Sequence, residues 1–102
     1  MPVGVAYGSD VDQVCSVLEE IALSHPEIVK NPAPRVRMRA LGDSSLDFEL
    51  LAWIDHPELR GRVRHELLKN IYKGFNQKGI EIPFPQTDLH IRSMPQNINP
   101  QG

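Results

Sequence analysis

Cysteine is nearly absent: Cys15 is the single one in 102 residues. That excludes an internal disulfide framework and a multi-cysteine metal site, and it fits a reducing compartment. No apolar run approaches the ~18–20 residues needed to cross a bilayer. Charge of one sign is not in excess either. The 11 Lys+Arg against 13 Asp+Glu leave a net charge of −2, which argues against a nucleic-acid partner needing a broadly basic footprint. Gly4 and Gly8 do not form a dinucleotide-binding fingerprint, and no phosphate-binding loop follows a strand. What is present is 40% hydrophobic and 24% charged, the make-up of an ordinary globular domain, and at this length a single one.

Along the chain, short apolar segments alternate with helical ones. Val3-Gly4-Val5-Ala6-Tyr7 reads as a buried strand broken by Gly8-Ser9-Asp10. Ser9 with Asp12 three residues on predicts a helix start of the capping-box kind. Behind it Val11, Val14, Cys15, Leu18, Ile21 and Ala22 recur at helical spacing, leaving Asp12, Glu19 and Glu20 outside the stripe. Pro26 sets the end, because it disfavours helical geometry at His25.

After the stiff Asn31-Pro32-Ala33-Pro34 come two alternating runs joined by Gly42-Asp43-Ser44-Ser45. Val36, Met38 and Ala40 share one face of the first run, and Arg35, Arg37 and Arg39 the other. Leu46, Phe48, Leu50, Ala52 and Ile54 line one face of the second, with Asp47, Glu49, Leu51 and Trp53 opposite. A one-residue slip would turn every side chain to the wrong face, so the register brings Arg37 and Arg39 near Asp47 and Glu49. Val36, Met38, Phe48 and Leu50 are expected in the core.

Asp55-His56-Pro57 opens a second, basic helix with Leu59, Val63, Leu67, Ile71 and Phe75 at i+4 spacing, stopped by Gly79. Ile80-Glu81-Ile82 predicts a brief strand. Pro83-Phe84-Pro85 cannot join a central ladder and reads as an extended connector. Residues 87–92 alternate again, and the polar residues 93–102 form a flexible tail. The expected fold is α+β: a ferredoxin-like β-α-β-β-α-β sandwich with an appended C-terminal strand, its four-stranded antiparallel sheet carrying both helices on one face.

Candidate chemistry does not accumulate into a site. Ser9 has no local base and sits where caps sit. Cys15 lies on an apolar stripe, the usual place for a core thiol. His25, His56, His65 and His90 lack metal-ligand spacing. Asp47 and Glu49 face arginines, which reads as ion pairing. No catalytic residue, metal or cofactor is expected, and no enzyme.

One run is more specific. Gly79-Ile80-Glu81-Ile82-Pro83-Phe84-Pro85-Gln86-Thr87-Asp88-Leu89-His90 stands in order behind residues 3–10, the turn 42–46 and Trp53-Ile54. Together these resemble the C-terminal cytoplasmic domain of small-conductance mechanosensitive (MscS-type) ion channels, over residues 3–92. The resemblance implies a homoheptamer of the inner (plasma) membrane, opened by membrane tension in hypo-osmotic shock to release ions and osmolytes. This domain would lie on the cytoplasmic side as part of a hollow vestibule, or cage, with an assembly and filtering role. Membrane contact would come only through transmembrane and β-domain segments outside these residues. Residues 1–82 would be the cage domain and 83–92 the connector and barrel-forming strand. Pro83, Phe84, Pro85, Gln86, Asp88, Leu89 and His90 would carry that strand, and Thr87 departs from the larger residue common in the family.

Three readings of the residues sit beside the resemblance. An isolated strand after the Pro-x-Pro connector has no ladder partners of its own, whereas ring copies can satisfy one another. The acidic first helix and basic second helix suit heterologous contacts between copies. Leu51 and Trp53, read as facing away from the helices, would dock against the β domain or against a neighbouring copy. The competing reading is a stand-alone ferredoxin-like regulatory domain binding a small ligand, which predicts a pocket of convergent polar groups.

Overall fold

The computed structural model describes residues 1–83. In chain order it holds β1 (Pro2–Val5), α1 (Val11–Ser24), β2 (Arg35–Leu41), β3 (Leu46–Leu51) and α2 (Arg60–Lys78), the last entered through a 3-10 turn at Pro57–Leu59. The chain is α+β, and its elements follow the expected order as far as α2.

Helix α1 starts one residue later than a Ser9 cap predicts. The Asp10 carboxylate accepts from the backbone N–H groups of Asp12 and Gln13 at 3.0 and 3.2 Å. The Ser9 hydroxyl is engaged one turn earlier, donating to the Ala6 carbonyl at 2.7 Å. Asp10, in extended geometry, is therefore free to satisfy the orphan donors, a role worth about 1 kcal/mol. The helix buries Val14, Val17, Leu18 and Ala22 and ends at His25, before Pro26. Helix α2 buries Val63, Leu67, Ile71 and Phe75 at i+4 spacing. Gly79 caps it in the left-handed region, φ 73°, which an L side chain adopts only with strain.

The two helices lie side by side and antiparallel: Gly74 of α2 abuts Val17 and Ile21 of α1, while His25 beyond the end of α1 reaches Glu66 of α2. A Cβ at Gly74 would stand 3.1 Å from the Ile21 Cδ1, so the glycine sets how closely the helices pack. Their stripes meet Val5, Leu46, Phe48 and Leu50 of the sheet in one apolar core.

The sheet order is β1-β3-β2, both pairings antiparallel. Leu46, Phe48 and Leu50 of the central strand β3 are buried, with half-buried residues between them. The hairpin register sets Met38 opposite Phe48 and Arg37 opposite Glu49, with a bulge between Met38 and Ala40. Two expectations are corrected here. Met38 shares the inner face with Phe48 yet is 40% exposed, because β2 is an edge strand that bulges at that point. Among the described residues the sheet has three strands, not four. Ile80–Ile82 gives it one backbone hydrogen bond, from the Ala6 N–H to the Glu81 carbonyl at 2.9 Å. Only three residues separate the Gly79 cap from Pro83, which has no N–H to extend a ladder. The bond lies on the free side of β1, where a fourth strand of this topology belongs. The appended strand lies outside the described residues.

Candidate functional site

Three features stand out, and the first is a buried latch. His25 is the polar side chain buried in the core, and it follows α1 directly because Pro26 ends the helix there. Its Nδ1 accepts from the Glu27 N–H at 3.1 Å, which puts the ring proton on Nε2, 2.7 Å from Glu66 Oε1. That hydrogen bond holds the Glu66 carboxyl below its ordinary value, against the upward push of burial, and Arg62 and His65 add to the lowering. Arg62 bridges Glu27 at 3.6 Å and Glu66 at 3.8 Å. Lys30 Nζ caps the open end of α1 at the carbonyls of His25 and Ile28. These contacts run between α2 and the segment that follows α1, so the latch joins the two helices.

The second feature is a cleft of about 430 Å³ at the end of the domain where β1 begins and β3 ends. Its walls are mostly apolar, with Ile28, Leu50, Trp53, Ile54, Val63 and Leu67 among them, and among the described residues the charged side chains that line it are Arg60 and Arg64. A ligand pocket fixes its guest with a few convergent polar groups; among the described residues this cleft offers two arginines from one helix and no carboxylate, hydroxyl or amide side chain to meet them. The regulatory-domain reading therefore loses its main expectation. Among the described residues no group of three metal-ligating side chains gathers anywhere.

The third is the outer face of the hairpin. Arg39 at the bulge binds Glu49 through Nε at 2.6 Å, while Asp47 accepts from the Ser45 hydroxyl at 2.6 Å. The bulge thus gives Glu49 to Arg39 although Arg37 stands directly opposite it.

The residues singled out from the sequence are dispersed. Cys15 is half-buried, its thiol pushed up by burial and by the nearby Glu19 and Asp12, the reverse of an activated nucleophile. Leu51 is half-buried at the end of β3. Trp53, 40% exposed, lies past that strand and lines the cleft with Arg60 and Arg64 of α2. The alternation that sets Trp53 beside Leu51 stops with the strand, so the two fall in different surroundings. Pro83 is the last described residue. Phe84, Pro85, Gln86, Asp88, Leu89 and His90 lie outside the described residues. Sequence reading noted His25 as one of four histidines without metal-ligand spacing and did not pair it with Glu66. They stand 41 positions apart in the chain, a separation that carries no local signal. The i, i+4 pair Arg60 and Arg64 beside an apolar run was a legible signal of the cleft rim.

Comparison with known proteins follows the geometry. Residues 1–82 match the family model described as "Mechanosensitive ion channel MscS, C-terminal". A protein of Synechocystis sp. named as an uncharacterized MscS family protein is 34% identical over 89 residues, covering 87% of this chain and 30% of that protein. The mechanosensitive channel MscK of Escherichia coli (strain K12) is 36% identical over 90 residues, 88% of this chain and 8% of that protein. Among solved structures, the crystal structure of Helicobacter pylori MscS in its closed state matches with a TM-score of 0.78 at 30% identity, covering 92% of this chain and 37% of that one. The chain spans 30% or less of the length of these two relatives.

Proposed function

The chain belongs to the MscS family of mechanosensitive ion channels, as the C-terminal domain of such a protein, and from that premise we propose that it is a wall element of the channel's cytoplasmic vestibule. The full protein is a homoheptamer of the inner membrane that opens under tension in hypo-osmotic shock and releases ions and small osmolytes. This domain takes no catalytic part: it assembles the cage and filters what reaches the pore. No helix of the described residues is long and apolar enough to cross a membrane, so the pore belongs to other segments of the protein. The observation that carries the reading is the match of this fold to part of a closed MscS channel, with residues 1–82 fitting the family's C-terminal model.

The parts divide by their chemistry. Residues 1–82 form the folded wall. Residues 83–92 connect it to a strand, with Phe84, Pro85, Gln86, Asp88, Leu89 and His90, that builds a small barrel with the same strand of other copies, and residues 93–102 are its tail. The Trp53 cleft is the docking surface for the β domain that precedes this one in the channel. Met1, where that domain would join, lines the same cleft. Leu51 supports the contact from the end of β3.

The test is osmotic. Cells lacking their own mechanosensitive channels, given the full-length gene, should survive an abrupt dilution that lyses the parent strain. Survival should fall when the codons for residues 1–92 are removed while membrane insertion of the remainder is retained. Lysis equal to the parent with the intact, inserted protein would refute the channel reading.

A further inference from the structure

The hydrogen bonding of β1 does not stop at Pro2. The Met1 nitrogen donates to the Leu50 carbonyl at 3.0 Å, and the Leu50 N–H donates to the Met1 carbonyl at 2.9 Å. That exchange is the hydrogen-bonded pair of an antiparallel ladder, and it continues the register that sets Pro2 opposite Glu49. The next such pair lies two residues further along each chain. On the β3 side that residue is Ala52, directly after the strand. Among the described residues neither its N–H nor its carbonyl has a hydrogen-bond partner.

Side-chain alternation points to the same place. Val5 is buried, and Val3 and Met1 pack against the core from the same face of β1, as Leu50 and Ala52 do from the other chain segment. A residue two places before Met1, opposite Ala52, therefore falls on that inner face. There it meets the cleft, which Met1, Leu50 and Ala52 all line. Trp53 in the same cleft is 40% exposed, a large apolar group left in water. An unsatisfied ladder position and an uncovered apolar cleft thus coincide at the end of the domain where the chain enters.

Resting on the reading that a β domain precedes this one in the channel, we propose that the two residues before Met1 extend β1 along β3. The second of them closes the hydrogen-bonded pair with Ala52 and places an apolar side chain in the cleft, beside Trp53, Ile54 and Leu67. The occupant is this segment of the same chain, because it joins at Met1, on the cleft's own wall, and so arrives as a tethered group at high effective concentration. Its side chain is apolar because most of the wall is, and burial there removes apolar surface from water. Arg60 and Arg64 contribute their aliphatic stems to that wall while their charged ends reach the solvent. The join between the two domains is then a continuous strand and not a hinge, so a displacement of one is carried into the other through the β1–β3 ladder.

The experiment uses the full-length protein in native membranes, with its native cysteines, Cys15 included, replaced by alanine. A cysteine two places before Met1, combined with Ala52→Cys, should form a disulfide within one chain on mild oxidation, since paired ladder residues stand about 5.5 Å apart at Cα. A cysteine one place before Met1, on the other face, should form none with the same partner. A second measurement leaves Ala52 intact and decides alone if the Ala52→Cys protein fails to assemble. As the single cysteine of the protein, the residue two places before Met1 should react with a soluble maleimide several-fold more slowly than the exposed position in Asp43→Cys. Adding Trp53→Ala should raise that rate several-fold. With Trp53→Cys as the reporter, leucine two places before Met1 should keep the cleft protected and aspartate should expose it. Fast labelling two places before Met1, a disulfide from the neighbouring place, or a link between two chains would overturn the strand extension. Protection by aspartate equal to that by leucine would overturn the apolar occupant. Either result in a protein that is multimeric and conducts under tension leaves the vestibule reading intact, whereas the expected disulfide in a protein that never conducts would strike that reading alone.

Discussion

Phe48 and Met38 sit opposite each other in the β2–β3 hairpin, on the same face, yet Phe48 is 1% exposed and Met38 40%. The strands that carry them are alike in sequence pattern and unlike in burial. Every second residue of β3 is buried, whereas β2 has one half-buried residue, Val36, and six exposed ones. Alternation specifies which face a side chain takes. Whether that face is dry depends on what lies over it, and β3 has a strand on each side while β2 has one. The edge strand meets the hazard of open ladder groups by bulging and by its arginines.

Four substitutions sharpen that contrast, and the largest effect belongs to its buried half. Phe48→Ala should cost about 3–5 kcal/mol in denaturant unfolding, the usual loss for a core phenylalanine. Forcing the helices apart comes next. Gly74→Val places a branched side chain against Ile21 and should cost about 1–3 kcal/mol as overpacking. His25→Ala removes the latch from the other side and leaves the Glu27 N–H without its acceptor, an expected loss of about 1–3 kcal/mol. Met38→Ala closes the series. Despite facing Phe48 in register, it should shift stability by less than about 0.5 kcal/mol, and a loss comparable with that of Phe48→Ala would break the comparison.

A smaller effect should appear in acid. The Glu66 carboxyl is held below its ordinary value of 4.5 in the fold, so its contribution is present above that pH. It is lost as the pH falls through the lowered folded value. Glu66→Gln should flatten that part of an unfolding-versus-pH curve and leave neutral pH almost unaffected. An unchanged acid slope would mean that the His25 contact does not favour the charged form.

Much of this was legible in the sequence. The i+4 run from Leu59 to Phe75, the Gly79 stop and the Pro26 end of α1 are local signals, and the fold obeys them. The hairpin register was legible because a slip would have buried Asp47 and Glu49. What escaped depended on neighbours distant in the chain. Met38 belonged to the right face, but nothing local told that β2 would be an edge. The third residue of the predicted fourth strand runs into Pro83, which ends the ladder after one bond. Ser9 and Asp10 are both good caps, and the demand of the Ala6 carbonyl on Ser9 decided between them. Trp53 followed the period of two only as far as the strand lasted. At the functional level the residues alone pointed to no particular chemistry and supplied no role. The family was legible in the ordered motifs, and the proposed role follows from it.

The most direct test of the central claim is electrical. Full-length protein purified into liposomes should give, in excised patches, channel openings that are rare at rest and rise steeply with applied suction. A protein shown to be inserted and multimeric that stays silent up to the tension at which the patch ruptures would contradict a vestibule role for this domain.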